Sequence, residues 1–185
     1  MSDLLHEILY YGFIKNALIA GLLAGIACGI TGTFVVIKKI SHVSGGLSHA
    51  VLGGIGIALF LGFEPVYGAL IFAIAAAVIA GSAKLRSSQN EDTVIAALWS
   101  VGMAIGVIFA FLTPGYNKDL MSYLFGNILM VSNHNLIALG IMDAAIIAVF
   151  SVYYRQFIYI SFDEEYSRLK GINVERVYIL LLCMV

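Results

Sequence analysis

Long apolar runs separated by short polar segments make up most of this chain. A helix that crosses a bilayer needs about 20 apolar residues, and five runs reach or approach that length: residues 16–37, 49–63, 66–83, 93–112 and 136–153. The second run is short for a crossing unless residues 43–48 extend it. A sixth run begins at about Val177 and continues to the last residue. The pattern predicts an all-α, polytopic transmembrane helical bundle.

The composition agrees with a chain that lies almost wholly in a membrane. Of the 185 residues, 61% are hydrophobic and 11% are charged, whereas a soluble domain carries about 25% charged residues. No segment has the composition of a separate soluble domain, so we expect residues 1–185 to form a single transmembrane domain. The net charge of −1 provides no bulk field that would recruit nucleic acid.

Basic residues are concentrated in alternate loops. Eight of them fall in three such loops: Lys38, Lys39, Lys84, Arg86, Arg155, Arg168, Lys170 and Arg176. The opposite loops hold little besides Lys118, with Lys15 near the first span. Because loops rich in Lys and Arg stay in the cytoplasm, we expect the N-terminus and the loop 113–135 to lie outside. Within that loop, the stretch DLMSYLFGNILMVS predicts a short amphipathic helix on the external face.

Glycines recur at four-residue spacing in two of the predicted spans. One series consists of Gly21, Gly25 and Gly29, and the other of Gly102 and Gly106. Small residues at this spacing let helix backbones approach closely in lipid, where packing drives the association of helices. Both series therefore predict close helix contacts within the bundle.

The cytoplasmic loop 154–176 carries an unusual density of charged residues. Glu164 and Arg168 are four residues apart, a spacing that supports a helix, and Gly171 fits the stop at a helix C-terminus. We therefore expect a short surface helix within residues 161–171. The pattern leaves two interpretations open: a solvated connector between two spans, or a docking helix for a soluble partner.

Four stretches, in this order, resemble the membrane permease subunit of ATP-binding-cassette importers for zinc, manganese and ferrous iron. They are GITGTFVVIKKISHVSGGLSHAVLGG, EDTVIAALWSVGMAIGVI, DLMSYLFGNILMVS and ISFDEEYSRLKGINVERV. Together they extend over residues 29–177 and fall on consistent sides of the predicted membrane. The resemblance implies a divalent-metal permease in the inner or plasma membrane, and it implies that this chain is the N-terminal, truncated part of one.

The resemblance also implies the partners. Two permease copies would line the pathway as a homodimer, a cytoplasmic ATPase would bind the coupling helices, and an external metal-binding protein would deliver the ion. The sequence contains no Gly-x-x-x-x-Gly-Lys-Ser/Thr phosphate loop, so we expect the ATPase partner to use the ATP and this chain not to be an enzyme. The divalent metal ion would be cargo, with no covalently bound cofactor, and membrane lipid would surround the spans.

Two other functions remain open from the sequence. A truncated chain could be a structural or regulatory membrane subunit that does not transport. A related permease could carry a metal chelate or cobalamin, although a chelated ion needs no protein ligands and a histidine in the pathway argues against it. The sequence does not choose among zinc, manganese and iron, since imidazole suits all three.

Two histidines lie near the start of the second span. His42, Gly46 and His49 are spaced i, i+4 and i+7, so on a helix they share one face. An ionisable side chain at membrane depth is costly and indicates a functional site. In the family that the chain resembles, an aspartate stands three residues before the pathway histidine. By that resemblance His49 matches the histidine, and Gly46 occupies the aspartate position.

We therefore predict that His49 faces the pathway and contacts the metal ion, with open space at Gly46. The second ligand would be either His42 or the His49 of a second copy. His42 could instead be an interfacial residue beside Lys38 and Lys39.

Further polar residues are weaker candidates. Asp143 lies inside the fifth span, where a carboxylate usually faces the bundle interior or a cavity, so it is a possible pathway group. His134 is expected to be a solvated residue of the external loop. The resemblance assigns coupling to the ATPase to six residues: Phe162, Asp163, Glu164, Glu165, Leu169 and Gly171.

Overall fold

The computed structural model describes residues 11–86, 91–114 and 126–185, with the side chains of residues 85, 86 and 91 left out. Five helices are long and apolar enough to cross a membrane: α1 (Gly12–Ile37), α2 (Ser41–Leu61), α3 (Pro65–Arg86), α4 (Glu91–Leu112) and α5 (Asn133–Phe162). Two shorter α-helices follow, α6 (Glu164–Leu169) and α7 (Val174–Met184). No strand occurs in these ranges, so the prediction of an all-α transmembrane bundle is confirmed.

Several helices extend beyond the apolar runs that predicted them. α2 begins at Ser41, so residues 43–48 do extend the second span. α5 continues nine residues beyond 153, and residues 154–162 are therefore helical where a loop was predicted. The helix ends at Phe162 because Asp163 turns into extended backbone and caps α6, its carboxylate accepting from the Tyr166 N–H at 2.9 Å. Hydropathy marks where a helix leaves the apolar layer, and a helix end is set by its cap.

Two other predicted elements differ in extent. α7 begins at Val174, three residues before the predicted start, because the side chain of Asn173 caps it by accepting from the Arg176 N–H at 3.1 Å. The external amphipathic helix expected in DLMSYLFGNILMVS lies mostly outside the described residues. Its described part holds a single turn of 3₁₀ helix, Ile128–Met130.

Glycines bring α2 and α4 into backbone contact. A Cβ added at Gly53 would lie 2.9 Å from the carbonyl oxygen of Gly102, and one added at Gly56 would lie 2.5 Å from that of Gly106. The contacting residue numbers rise together, so the two helices run in the same direction. The prediction from the spacing of Gly102 and Gly106 is confirmed.

The other glycine series behaves differently. A Cβ on Gly21 would meet only Ile128 at 3.9 Å, and within the described part of the chain Gly25 and Gly29 have no neighbour within 4 Å. The predicted close contact at these positions was wrong for this bundle, because they lie on a face of α1 that no described helix covers. Large apolar side chains such as Leu22 and Phe111 are exposed in the same way, as expected for surfaces in contact with lipid.

α1 packs along α5, and contacts at both ends show that the two helices are parallel. At one end the Asn16 amide donates to the Val131 carbonyl at 3.1 Å. Midway, the rings of Phe34 and Phe150 lie 5.1 Å apart. At the other end Lys38 Nζ donates to the carbonyl of Ile160 at 2.7 Å.

α7 contacts both α3 and α5 and contributes fully buried side chains, among them Leu181, to the shared apolar core. The bundle therefore combines the α2–α4 pair, the α1–α5 pair and α3, with α7 packed against one end.

A matched pair of glycine substitutions tests the α2–α4 contact. Gly102→Ala should lower stability by about 1–3 kcal/mol, the usual cost of overpacking, because its Cβ would lie 2.5 Å from the Cα of Ala50. Gly25→Ala should be neutral or slightly stabilising, since its Cβ meets no described atom within 4 Å and alanine favours a helix. The measurement is thermal unfolding of both variants in the same detergent. Equal melting temperatures for the two variants would contradict the contact.

Candidate metal pathway and coupling segment

His49 lies on α2, on the side that faces α4. Its ring stacks on the indole of Trp99, with ring centroids 4.3 Å apart and planes 5° from parallel. The side chain as a whole is half-buried, but Nδ1 is buried and has no hydrogen-bond partner among the described residues. A buried ring nitrogen without a partner is costly in an apolar bundle, so His49 is a candidate functional residue.

Trp99 was not predicted as part of this site. The sequence indicated only a structural or interfacial aromatic residue, because tryptophans are common at the ends of spans. In the structure its Nε1 donates to the sulfur of Met103, one turn further along α4, at 3.0 Å. The signal that could have found it is its helical register: Trp99 lies three residues before Gly102, on the helix that α2 contacts most closely.

The open space predicted at Gly46 was wrong. A Cβ added there would overlap Cγ2 of Ile95 on α4 and would lie 3.6 Å from the carbonyl oxygen of Ile95. A side chain at this position would require the Ile95 side chain to move. Gly45 is the open neighbour, since a Cβ there meets no described atom within 4 Å. It stands four residues before His49, so a side chain at 45 would share the face of that histidine.

His42 is engaged elsewhere. Its Nε2 lies 2.7 Å from a carboxylate oxygen of Asp92 at the start of α4, and the two side chains are 56% and 81% exposed. His42 and His49 are seven residues apart on one helix, which separates them by about 10 Å along the axis. The structure does not bring the two imidazoles together, and metal ligation by His42 stays a prediction.

A single copy does not contain a complete ligand set in the part of the chain that the structure describes. No three His, Cys, Asp or Glu side chains in those ranges are close enough to hold a metal ion. An ion at His49 would therefore need ligands from outside those residues, from water or from another chain.

Asp143 is buried in α5, with 5% of its surface exposed. Its Oδ2 has no hydrogen-bond partner in the described ranges. The burial agrees with the expectation of an inward-facing carboxylate, and its role stays a prediction.

His134 is not in a loop, as the sequence suggested, but in the first turn of α5, because Ser132 caps that helix by accepting from the Asn135 N–H at 3.2 Å. The exposed His134 lines a mainly apolar cavity of about 480 Å³ between α2, α3 and α5, together with Glu64 and Tyr67.

The predicted coupling segment is a short helix flanked by exposed apolar side chains. α6 is only six residues long, shorter than the predicted range 161–171. Gly171 has φ +77° and donates its N–H to the Arg168 carbonyl at 3.0 Å, so the predicted glycine stop is confirmed. The side chains of Phe162 and Leu169 are 78% and 87% exposed, and Glu165 is exposed beside them.

Glu164 joins this segment to the rest of the bundle. Its carboxylate pairs with Lys38 Nζ at 2.5 Å, and the Lys38 side chain is only 8% exposed. The Nζ atoms of Lys38 and Lys84 lie 5.7 Å and 4.0 Å from the centre of the Tyr178 ring. Three of the segments that carry the predicted cytoplasmic lysines and acids therefore meet at one end of the bundle.

The pKa of Glu164 reflects two opposing influences. Burial raises it, but the hydrogen bond and charge of Lys38, with the charges of Lys84 and Arg168, outweigh burial and hold the pKa below its usual range. The spacing in the sequence predicted a pair of Glu164 with Arg168 alone. It missed Lys38, because the two partners are 126 positions apart.

Together, the five apolar helices, the lipid-facing apolar surfaces and the charged cluster at one end define a multi-pass α-helical membrane protein. The chain belongs to the ABC 3 transport family, which it matches over residues 10–185. This confirms the predicted resemblance to the permeases of metal ATP-binding-cassette transporters.

Three relatives illustrate the match. The chain is 37% identical over 185 residues to an uncharacterized membrane protein of Synechocystis, covering 100% of the chain and 66% of that protein. It is 39% identical over 190 residues to a probable metal transport system membrane protein of Chlamydia pneumoniae, covering 100% and 65%. It is 31% identical over 180 residues to the manganese transport system membrane protein MntC of Listeria innocua, covering 97% and 64%.

A solved structure shares the fold. PsaBC from Streptococcus pneumoniae, determined in complex with Fab, superposes with a TM-score of 0.80 at 29% identity, over 99% of this chain and 66% of that one. The chain thus spans just under two thirds of the length of these relatives.

The ion pair between Lys38 and Glu164 predicts a specific dependence of stability on pH. A carboxyl group whose pKa is lowered by folding stabilises the folded state above its unfolded pKa and loses that contribution as the pH falls through the folded value. Stability of the wild-type chain should therefore decline below about pH 4.5, and Glu164→Gln should flatten this decline. At neutral pH we expect Glu164→Gln to cost about 1–2 kcal/mol, a modest value because Glu164 is 41% exposed.

The measurement is the stability of the protein against unfolding in detergent solution between pH 3 and pH 7. Glu165→Gln is the matched control on the same helix. An equal loss of stability in both variants would show that the pair contributes nothing specific.

Proposed function

We propose that this chain is the membrane permease subunit of an ATP-driven importer for a divalent metal ion. The observation that carries the proposal is the imidazole of His49, which is held against Trp99 inside a transmembrane helix pair and has a ring nitrogen without a partner. Ionisable groups at this depth mark ion pathways in membrane proteins. The names of the relatives support metal as the cargo.

Manganese is the first metal ion to test as the transported cargo. Two kinds of relatives carry it in their names, the manganese transport system membrane protein MntC and the manganese import system permease protein ScaB. Imidazole also suits zinc and ferrous iron, so discrimination among the three would depend on the remaining ligands. An ion held by few protein ligands binds weakly, which favours release on the far side of the membrane.

A second copy of the chain would complete the site. The described residues of one copy supply His49 without two further ligands close enough to share an ion. A homodimer with the two His49 side chains on opposite sides of the pathway doubles the number of imidazoles without any new residue type. Asp143 is a second candidate, since its buried carboxylate oxygen lacks a partner among the described residues.

ATP hydrolysis would occur in a separate cytoplasmic subunit, which docks on α6. The exposed Phe162 and Leu169 flank a helix whose Glu164 is tied to the end of α1 through the buried amine of Lys38. A displacement of α6 by the ATPase would pull on α1, and from there on α2 and His49. An external metal-binding protein would deliver the ion to the pathway. The pathway would then open alternately to the outside and to the cytoplasm, and this change would carry the ion across.

The charged cluster around Lys38 and Glu164 supports an orientation of the chain in the membrane. Lys38, Lys84 and the residues around Glu164 share one end of the bundle, and by the positive-inside rule that end faces the cytoplasm. The N-terminus would then lie outside. All of residues 1–185 would form one transmembrane domain.

The first test is metal uptake by the complete transporter. His49→Ala should reduce the uptake of radioactive manganese at least about tenfold, as expected for the loss of a pathway ligand, while the chain still inserts. His42→Ala is the matched control, because its imidazole is exposed and paired with Asp92, and it should retain most of the uptake. Wild-type uptake by His49→Ala would contradict a pathway role for this histidine. Absence of uptake by the wild-type transporter would favour a non-transporting subunit.

Cysteine labelling tests orientation and coupling together. Glu165→Cys should react with a membrane-impermeant maleimide only from the cytoplasmic side, and Glu64→Cys only from the opposite side, in a background that lacks Cys28 and Cys183. Assembly with the ATPase should protect Glu165→Cys and leave Glu64→Cys reactive. Labelling of both positions from one side would overturn the topology. Unchanged labelling of Glu165→Cys after assembly would place the ATPase elsewhere.

A further inference from the structure

None of the described residues forms with His49 the hydrogen bond that usually orients a metal-binding imidazole. Such a histidine almost always donates its second ring N–H to a carboxylate, a backbone carbonyl or water, and this bond fixes the plane of the ring. Nδ1 of His49 is buried, and no described residue forms a hydrogen bond with it. Among the described residues, an interaction other than a hydrogen bond could therefore hold the ring in place.

The stack on Trp99 is that interaction. The two planes are 5° from parallel at 4.3 Å, so turning the His49 ring out of this plane would bring its edge into the face of the indole. Two contacts hold the indole in position, one of its side chain and one of its helix. Its Nε1 is bonded to the sulfur of Met103, and its helix meets α2 in backbone contact where Gly102 touches Ala50, the residue after His49.

Positive charge on the His49 ring should strengthen the stack. A metal ion bound to imidazole leaves positive charge on the ring, and the face of an indole attracts cations more strongly than any other side-chain ring. A stacked aromatic pair is stabilising even without charge. The contact between His49 and Trp99 should therefore be stronger when His49 holds the ion than when it does not.

We propose that Trp99 is a positioning residue for metal binding: by stacking on His49 it fixes the plane of that ring, and it stabilises the metal-bound form of the ring. The proposal rests on the proposed function, because it requires His49 to be a metal ligand. Trp99 acts through His49 and does not itself contact the ion.

Titration with manganese(II), followed by electron paramagnetic resonance, tests this on the full chain in lipid nanodiscs. Free manganese(II) gives a six-line spectrum whose loss reports binding. Trp99→Leu should weaken binding about 10- to 100-fold, the usual effect of removing a group that orients a ligand. Trp99→Phe should fall between Trp99→Leu and wild type, since it keeps a smaller aromatic face. Phe111→Leu is the matched control, an aromatic residue on the same helix that is 85% exposed, and it should bind as wild type does.

Fluorescence supplies an independent measure of metal binding next to Trp99. Trp99 is the single tryptophan of the chain, so all indole emission comes from the stack. Paramagnetic manganese(II) at His49 should quench this emission with the same dissociation constant as the resonance titration. The quenching should be absent in His49→Ala, which retains Trp99.

The outcomes separate the two proposals. Manganese binding that is unchanged in His49→Ala, or absent in wild type, would overturn the metal site at His49 and with it the role of Trp99. Loss of binding in His49→Ala together with wild-type affinity in Trp99→Leu would overturn the role of Trp99 alone. If Trp99→Leu melts well below wild type, Trp99→Phe decides: an affinity equal to wild type at an equal melting temperature would also overturn it.

Discussion

Backbone contact between α2 and α4 is the constraint on which the candidate pathway depends. Gly53 and Gly56 on one helix, with Gly102 and Gly106 on the other, remove the side chains that would keep the two axes apart. In lipid there is little hydrophobic gain from helix association, so close packing of this kind supplies the attraction. The same approach presses the face of α2 that carries His49 onto Trp99, and it fills the space beside Gly46 with Ile95. The close approach of the two helices thus accounts both for the position of the imidazole and for the side chain that occupies the space beside Gly46.

A second constraint lies at the charged end of the bundle. Lys38 is nearly buried, and a buried amine without a counter-charge would be expensive. Its pairing with Glu164 and its bond to the Ile160 carbonyl therefore hold α6 against the end of α1. α1 and α2 are joined by a short turn in which Lys39 takes a left-handed conformation, with φ +57°. These contacts connect the predicted coupling segment to the helix that carries His49.

Much of the architecture could be predicted from the sequence, because it follows from the lengths of apolar runs and the position of lysines. The five spans, the extension of the second span through residues 43–48 and the meeting of the basic segments at one end are of this kind. Buried Asp143 and the glycine stop at Gly171 also follow from local rules. The helix boundaries at Phe162 and Val174 do not, since they depend on the caps formed by Asp163 and Asn173 rather than on hydropathy.

The pairings between helices could not be predicted in this way. Helices that are apolar all round give no periodic signal for which face meets which neighbour, so the contacts of His49 with Trp99 and of Lys38 with Glu164 were missed. The prediction of open space at Gly46 was wrong for the same reason, because the space beside Gly46 is occupied by Ile95 from another helix.

The central claim is that His49 contacts the ion in transit. Pulsed electron paramagnetic resonance of manganese(II) bound to the chain, with its histidines labelled with ¹⁵N, measures this contact directly. If His49 holds the ion, the wild-type chain should show a hyperfine coupling to an imidazole nitrogen that persists in His42→Ala and disappears in His49→Ala. A coupling that survives in His49→Ala, or its absence from the wild-type chain with manganese bound, would exclude contact between His49 and the ion.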